Sequence, residues 1–294
     1  MNTFIFQNNT KEDLLKLLFD KGLLKDIMAC NYCSEDMEIR ESNDNPEKYH
    51  WRCFSTTCVH YQCTKSIRLG SFFENFQAPI IEILQSIYYY STLPRQCDVV
   101  RLSKKSRSFI QNLRNKIITL FSKYFEKNPI RLGGPGVVVQ VDETKLNFNV
   151  KSHRGIAPST PCWAVCIVDV SHFPAKGYIE LVDRRNAETL IPIIARVTRP
   201  GSIIQTDEWR AYNEISKAGC YEHKKVVHKY NFVDPGTGVH TQHVESYNNK
   251  IKYKIKMAKG VSNDFRKKFI TEFLFFDMFK DNVFDKIVDL IKFN

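Results

Sequence analysis

Two cysteine pairs constrain this chain more than any other feature. Cys30-Asn31-Tyr32-Cys33 is a C-x2-C turn, and Cys53 and Cys58 close a C-x4-C turn further on. A tetrahedral zinc ion needs four thiolate or imidazole ligands, and two tight knuckles on separate hairpins supply them. Tyr49-His50-Trp51-Arg52 reads as the strand leading into the second knuckle. Such a module is too small for a useful core, so metal binding would contribute its folding energy. Cys58 is favoured as the fourth ligand, with Cys63 or His60 close enough to replace it. Cys97, Cys162, Cys166 and Cys220 have no such partners and read as core positions. Metal ligation rather than disulfide formation assumes a reducing compartment. Lys11, Glu12 and Asp13 interrupt the apolar run that an export signal needs. Asp277 and Lys280 break the most apolar stretch well short of the roughly 20 residues of a membrane helix. The chain is therefore expected to be neither secreted nor membrane-bound.

With 43 Lys+Arg against 32 Asp+Glu, the net charge is +11. That excess favours a polyanionic partner, nucleic acid foremost. The 294 residues suggest about two domains. The strongest break is Gly133-Gly134-Pro135-Gly136. We read an N-terminal helix over 1–28, the cysteine module over 29–75, a helical region over 76–132, an α/β region over 133–260 and a helical tail over 261–294. In the helical region, Ile80, Ile81, Ile83, Leu84 and Ile87 mark one helix and residues 98–102 a short second one. After a turn at 103–106, a third over 107–124 carries the stripe Ile110, Leu113, Ile117, Leu120 and Tyr124. Arg107, Gln111, Arg114 and Asn115 lie largely off that stripe. This is the pattern of a helix-turn-helix reader, with Arg and Gln suited to base edges and Lys104 and Lys105 to phosphates.

The α/β region carries acids at the ends of apolar strands. Residues 137–142 read as a buried strand ending in Asp142, and 202–207 as another ending in Asp207. Strands over 162–168 and 178–182 and a helix over 187–197 lie between them. Glu245 opens a helix with the stripe Val244, Tyr247, Ile251 and Ile255; Asn249, Lys252 and Lys256 continue its face outward, the lysines placed for DNA. Three carboxylates on two strand ends and one helix can converge on hard divalent cations. Two such ions activate a nucleophile and stabilise the leaving oxygen of a phosphodiester. Asp169, Asp183, Glu143 and Glu208 are available for the same role, and periodicity does not choose among them.

Several motifs in order resemble one family. Val141-Asp142-Glu143-Thr144-Lys145 after the glycine run, His153-Arg154-Gly155, Asp183-Arg184-Arg185, Pro200-Gly201-Ser202, Thr206-Asp207-Glu208-Trp209-Arg210-Ala211-Tyr212 and His240-Thr241-Gln242-His243-Val244-Glu245 look like the catalytic core of Merlin-type transposases and their bacterial insertion-sequence relatives. Trp51-Arg52-Cys53 and Ser66-Ile67-Arg68-Leu69-Gly70-Ser71-Phe72-Phe73 resemble the same family upstream.

The resemblance implies an α/β fold: a ribonuclease-H-like core, a mixed sheet flanked by helices, preceded by a zinc ribbon and a helix-turn-helix. It places the acidic triad on Asp142, Asp207 and Glu245, holding two Mg²⁺ (or Mn²⁺) ions, beside one structural Zn²⁺. It implies double-stranded DNA as partner, both terminal inverted repeats and target, and a homo-oligomeric active complex. The chemistry would be hydrolysis at the element's end and strand transfer, in the nucleus of a eukaryote or the cytoplasm of a bacterium. Two departures stand out: the second knuckle carries the surplus Cys63, and residues 156–161 diverge from the pattern. Two other readings share these residues, a host-recruited DNA-binding regulator without transposition and a stand-alone structure-selective nuclease.

Overall fold

The computed structural model describes residues 11–93, 95–146, 161–216, 219–226 and 240–293. The His153-Arg154-Gly155 motif and residues 156–160 of the divergent loop lie outside them. The chain divides into two compact units, Met1–Leu120 with Asp281–Asn294, and Phe121–Lys280. Among the described residues no helix is long and apolar enough to cross a membrane.

The first unit begins with α1 (Lys11–Asp20). The leucine rhythm of residues 11–28 predicts a longer helix, but Gly22 takes φ 65 and stops it. The Gly22 N–H bonds the Phe19 carbonyl and the Leu23 N–H the Leu18 carbonyl, both at 2.8 Å, the two bonds that a left-handed glycine cap closes. β1 (Glu38–Glu41), β2 (Tyr49–Arg52) and β3 (Thr64–Ser66) form an antiparallel sheet in that order. Trp51 is buried and meets Phe19 edge-on, ring centroids 6.3 Å apart. Between β1 and β2, Glu47 forms a buried ion pair with Arg68. The same carboxylate accepts the Ile80 N–H at 2.9 Å and so caps α2 (Ile80–Thr92), whose own N-cap residue, Pro79, makes no side-chain cap. α3 (Gln96–Ser103) ends at Lys104 in the left-handed conformation, φ 53. α4 (Arg107–Lys127) follows, with Ile110, Leu113 and Ile117 buried.

The second unit is built on β4 (Val138–Lys145), β5 (Trp163–Asp169), β6 (Lys176–Val182), α5 (Ala187–Val197), β7 (Ile203–Thr206) and β8 (Glu222–Lys225). α6 (Gln242–Met257) and α7 (Asn263–Phe279) follow. The sheet order is β6-β5-β4-β7-β8. The first three strands pair antiparallel, while β7 and β8 run parallel to β4. A three-stranded meander crossing over to parallel strands, with helices on both faces, is the ribonuclease-H-like arrangement. The sequence places Asp142 at a strand end. β4 instead continues to Lys145, because β5 pairs with it from Val139↔Asp169 to Lys145↔Trp163.

Alternation along β5 divides the two cores. Val165 and Ile167 pack with Val139, Val141, Leu190, Ile194 and Tyr212. Ala164, Cys166 and Val168 pack with Val244, Tyr247, Ile251 and Phe273. β4 alternates likewise, so Gln140 and Asp142 point away from the α5 side, where Val139 and Val141 are buried. After α7 the chain returns to the first unit as α8 (Val283–Leu290), where Phe284 meets Tyr88 of α2 edge-on at 5.5 Å. Residues 261–294, expected as one helical tail, are thus shared out, α7 to the second unit and α8 to the first.

A Cβ on Gly177 of β6 would collide with the Cζ end of the Tyr247 ring of α6, so only glycine permits this approach. Gly177→Ala is expected to cost about 1–3 kcal/mol by overpacking, read as a lower denaturation midpoint. An unchanged midpoint would show that α6 does not seat closely on β6.

Candidate functional site

The thiol cluster forms where the sheet of the first unit meets its two turns. Cys30 and Cys33 bracket the turn before β1, and Cys53 and Cys58 follow β2. Their four Sγ atoms all lie within 4.8 Å of one another. Cys30 and Cys58 approach to 3.8 Å and Cys33 and Cys53 to 3.7 Å. The surplus Cys63 is drawn in as well, its Sγ 3.6 Å from that of Cys30. His60 is not in the set, and its ring lies against Tyr32 with centroids 3.9 Å apart. The Tyr32 and Cys33 N–H groups lower the Cys30 thiol to about 6, while burial pushes Cys58 up to about 12. Four soft thiols at this spacing, one predisposed to ionise, fit a structural zinc ion. Lys65 staples the first knuckle from β3, donating to the Ala29 carbonyl at 2.5 Å and to Asn31 Oδ1 at 2.6 Å.

The three carboxylates come from three elements of the second unit. Asp142 sits within β4, Asp207 directly follows β7, and Glu245 lies in the first turn of α6. Asp142 is half-buried, and burial together with the Asp207 and Glu245 charges pushes it up to about 6, Lys252 working against them. The three acids are therefore electrostatic neighbours. They do not close to the spacing of the thiols; among the described residues the cysteine set alone does so. Asn248, one turn beyond Glu245 on α6, donates to Asp142 Oδ2 at 2.7 Å. Sequence reasoning named its exposed neighbour Asn249 and missed this buried amide; its position i+3 from Glu245 was the available signal. Oxygen ligands from neighbouring acids suit divalent cations.

The structure separates the alternative acids. Asp169 is committed to the glycine run, accepting Gly133 N–H at 2.8 Å and Ser171 N–H at 2.9 Å. Glu143 projects to the opposite face of β4, toward Tyr212, and is pushed up to about 7 by burial. Beside it, Arg185 is sandwiched between Trp163 and Trp209, 3.9 and 4.9 Å from the ring centroids. Asp183 and Glu208 are exposed.

Between α3 and α4, Lys104 and Arg107 are exposed at the turn, and Lys105 pairs with Glu82 of α2. Gln111 and Arg114 face Gln96 of α3: Gln96 Nε2 donates to Gln111 Oε1 at 2.9 Å and Arg114 Nη1 to Gln96 Oε1 at 3.3 Å. These two side chains join α3 to α4 in this state. Lys252 and Lys256 are exposed on α6.

Residues 131–276 match the ISXO2-like transposase domain family. Among solved structures the chain is similar to the simian T-cell lymphotropic virus intasome in complex with PP2A regulatory subunit B56 gamma, at 18% identity over 65% of this chain and 67% of that one, TM-score 0.33. It is also similar to the Mos1 transposase paired-end complex with left transposon end, at 14% identity over 71% and 73% of the two chains, TM-score 0.27. No curated protein matches the chain.

Zinc analysis of Cys30→Ser and Cys53→Ser proteins is expected to show loss of the ion. Single Cys58→Ser and Cys63→Ser variants should differ, Cys58→Ser losing more; equal retention would make the two thiols interchangeable. The carboxylates predict a pH dependence. A carboxyl raised to about 6 in the folded state favours the metal-free protein at low pH, and that stability is lost as pH rises through about 6. A cation binds the ionised form, so Mg²⁺ is expected to raise the melting temperature more at pH 7.5 than at pH 5. Equal shifts at both values would exclude Asp142 as the ligand.

Proposed function

We propose, from the premise that this chain carries an ISXO2-like DDE transposase domain over residues 131–276, that it is a DNA transposase that binds terminal inverted repeats and performs cut-and-paste transposition. The observation that carries the catalytic reading is that three acids from separate elements are electrostatic neighbours, burial together with the Asp207 and Glu245 charges pushing Asp142 up to about 6.

In this reading Asp142, Asp207 and Glu245 would hold two Mg²⁺ or Mn²⁺ ions, which would supply Lewis-acid activation of water and stabilisation of the leaving oxygen. Asn248 donates to Oδ2 of Asp142 and would hold that carboxylate in place. The Trp209 N–H donates to Asp207 Oδ1 at 2.9 Å, holding that carboxylate at the mouth of β7. Hydrolysis at the element's end frees a 3′-hydroxyl, which then attacks target DNA. Lys252 and Lys256 continue the Glu245 face of α6 outward and would meet DNA phosphates there. The zinc ribbon over 29–75 and the helix-turn-helix over 76–132 would bind the repeats, Lys104 and Arg107 through phosphates. Gln111 and Arg114 would have to exchange their bonds to Gln96 for base edges. Two copies acting together would bring both ends of an element into one complex.

Purified protein with Mg²⁺ and a labelled inverted-repeat end tests the proposal. Nicking at the end with joining to a target supports it; binding without cleavage would favour a regulatory protein, and cutting of branched substrates alone a nuclease. Asp142→Asn, Asp207→Asn and Glu245→Gln are each expected to reduce cleavage by more than about a hundredfold, in keeping with the several kcal/mol that a catalytic metal contributes, while DNA binding survives. Full activity in any one of them would remove that residue from the site. Affinity for the ends should fall linearly with salt on a log–log plot as phosphate contacts release counterions; a flat response would reject a charge-driven footprint.

A further inference from the structure

We propose that Gln140 is a positioning residue of the carboxylate pocket, a buried amide that sets the start of α6, and with it Glu245, against β4 and β7. The proposal rests on the reading of Asp142, Asp207 and Glu245 as metal ligands.

Gln140 lies in the interior of β4 and is 1% exposed. Apolar side chains are the default in a strand covered on both faces, and burying an amide is costly unless its hydrogen bonds are replaced. Here all of them are. Its Oε1 accepts the His243 N–H at 3.0 Å and the Val244 N–H at 3.1 Å. Its Nε2 donates to the His240 carbonyl at 2.7 Å and to Gln205 Oε1 at 3.2 Å. Two backbone donors on one side and a carbonyl on the other leave one orientation of the amide, since only the oxygen can accept.

These bonds join the three elements that carry the acids. Gln140 precedes Asp142 by one alternation of β4. Its parallel partner in β7 is Gln205, which precedes Asp207 in the same way. His243 and Val244 are the second and third residues of α6, and Glu245 is the next. Thr241 occupies the N-cap position but makes no side-chain cap. Gln140 therefore does from the sheet what an N-cap side chain does locally, accepting from the second and third N–H groups. A neutral amide does this without adding a further negative charge where three already crowd.

Hydrogen exchange on the metal-free protein and Mn²⁺ titration by electron paramagnetic resonance test the proposal together. In Gln140→Met, which keeps the side-chain length, exchange at residues 243–245 is expected to rise about tenfold with that in β5 unchanged, the effect of a lost cap confined to one helix end. Mn²⁺ affinity should fall about tenfold or more, as when a ligand loses its outer support. Adding Thr241→Asn to Gln140→Met returns a local cap and is expected to recover most of both; it also serves if the single variant does not fold. Wild-type exchange and affinity in Gln140→Met would overturn the proposal, as would a uniform rise in exchange, or no recovery with the local cap, which would assign Gln140 to packing. If wild-type Mn²⁺ binding is insensitive to Asp142→Asn, the carboxylate reading itself falls and takes this inference with it.

Discussion

Strand β4 is hydrogen-bonded along both edges, antiparallel to β5 and parallel to β7. That double pairing fixes its pleat, and the pleat decides what each side chain can do. Val139 and Val141 enter one core, while Gln140 and Asp142 turn to the other face and meet α6. Glu143, one residue later, returns to the first face and to Tyr212. A slip of one residue would exchange the two carboxylates and bury a valine where the amide must be. Seven successive pairs with β5 make such a slip costly.

The two units share a second device. Neither α2 nor α6 starts with a capping side chain of its own. Glu47 reaches the first N–H of α2, and Gln140 reaches two N–H groups of α6. In each case the cap comes from a strand or turn far away in sequence, so the helix start is tied to the sheet as it is satisfied. The chemistry differs with the surroundings. Glu47 is a carboxylate balanced by Arg68, whereas the acid-rich neighbourhood of α6 is served by a neutral amide.

Local patterns were legible where periodicity and punctuation agreed. The helix at 187–197 is found as read, with Asn186 capping it through the Thr189 N–H, and Lys104 turns the chain between α3 and α4 where residues 103–106 read as a turn. The cysteine spacing pointed to a set that the structure brings together. What the sequence did not disclose depends on partners distant along the chain. β4 outlasts Asp142 because β5 continues beside it. Asn248 rather than Asn249 meets Asp142, a matter of the phase of α6 that a stripe defines only to within a residue. Gln140 was visible as a polar residue in an apolar strand, two places before an aspartate. Its role became apparent only with α6 folded against it.

The return of α8 to α2 has a bearing on biosynthesis. Residues Asp281–Asn294 belong to the same compact body as the amino-terminal zinc-ribbon segment, and the Phe293 N–H bonds the Gly22 carbonyl at 2.7 Å. Synthesis thus reaches Phe121–Lys280 between the two parts of this body. The two parts of one body are held apart in sequence by the whole of the other, so closing it is a non-local step that carries the loop-closure cost of the intervening residues.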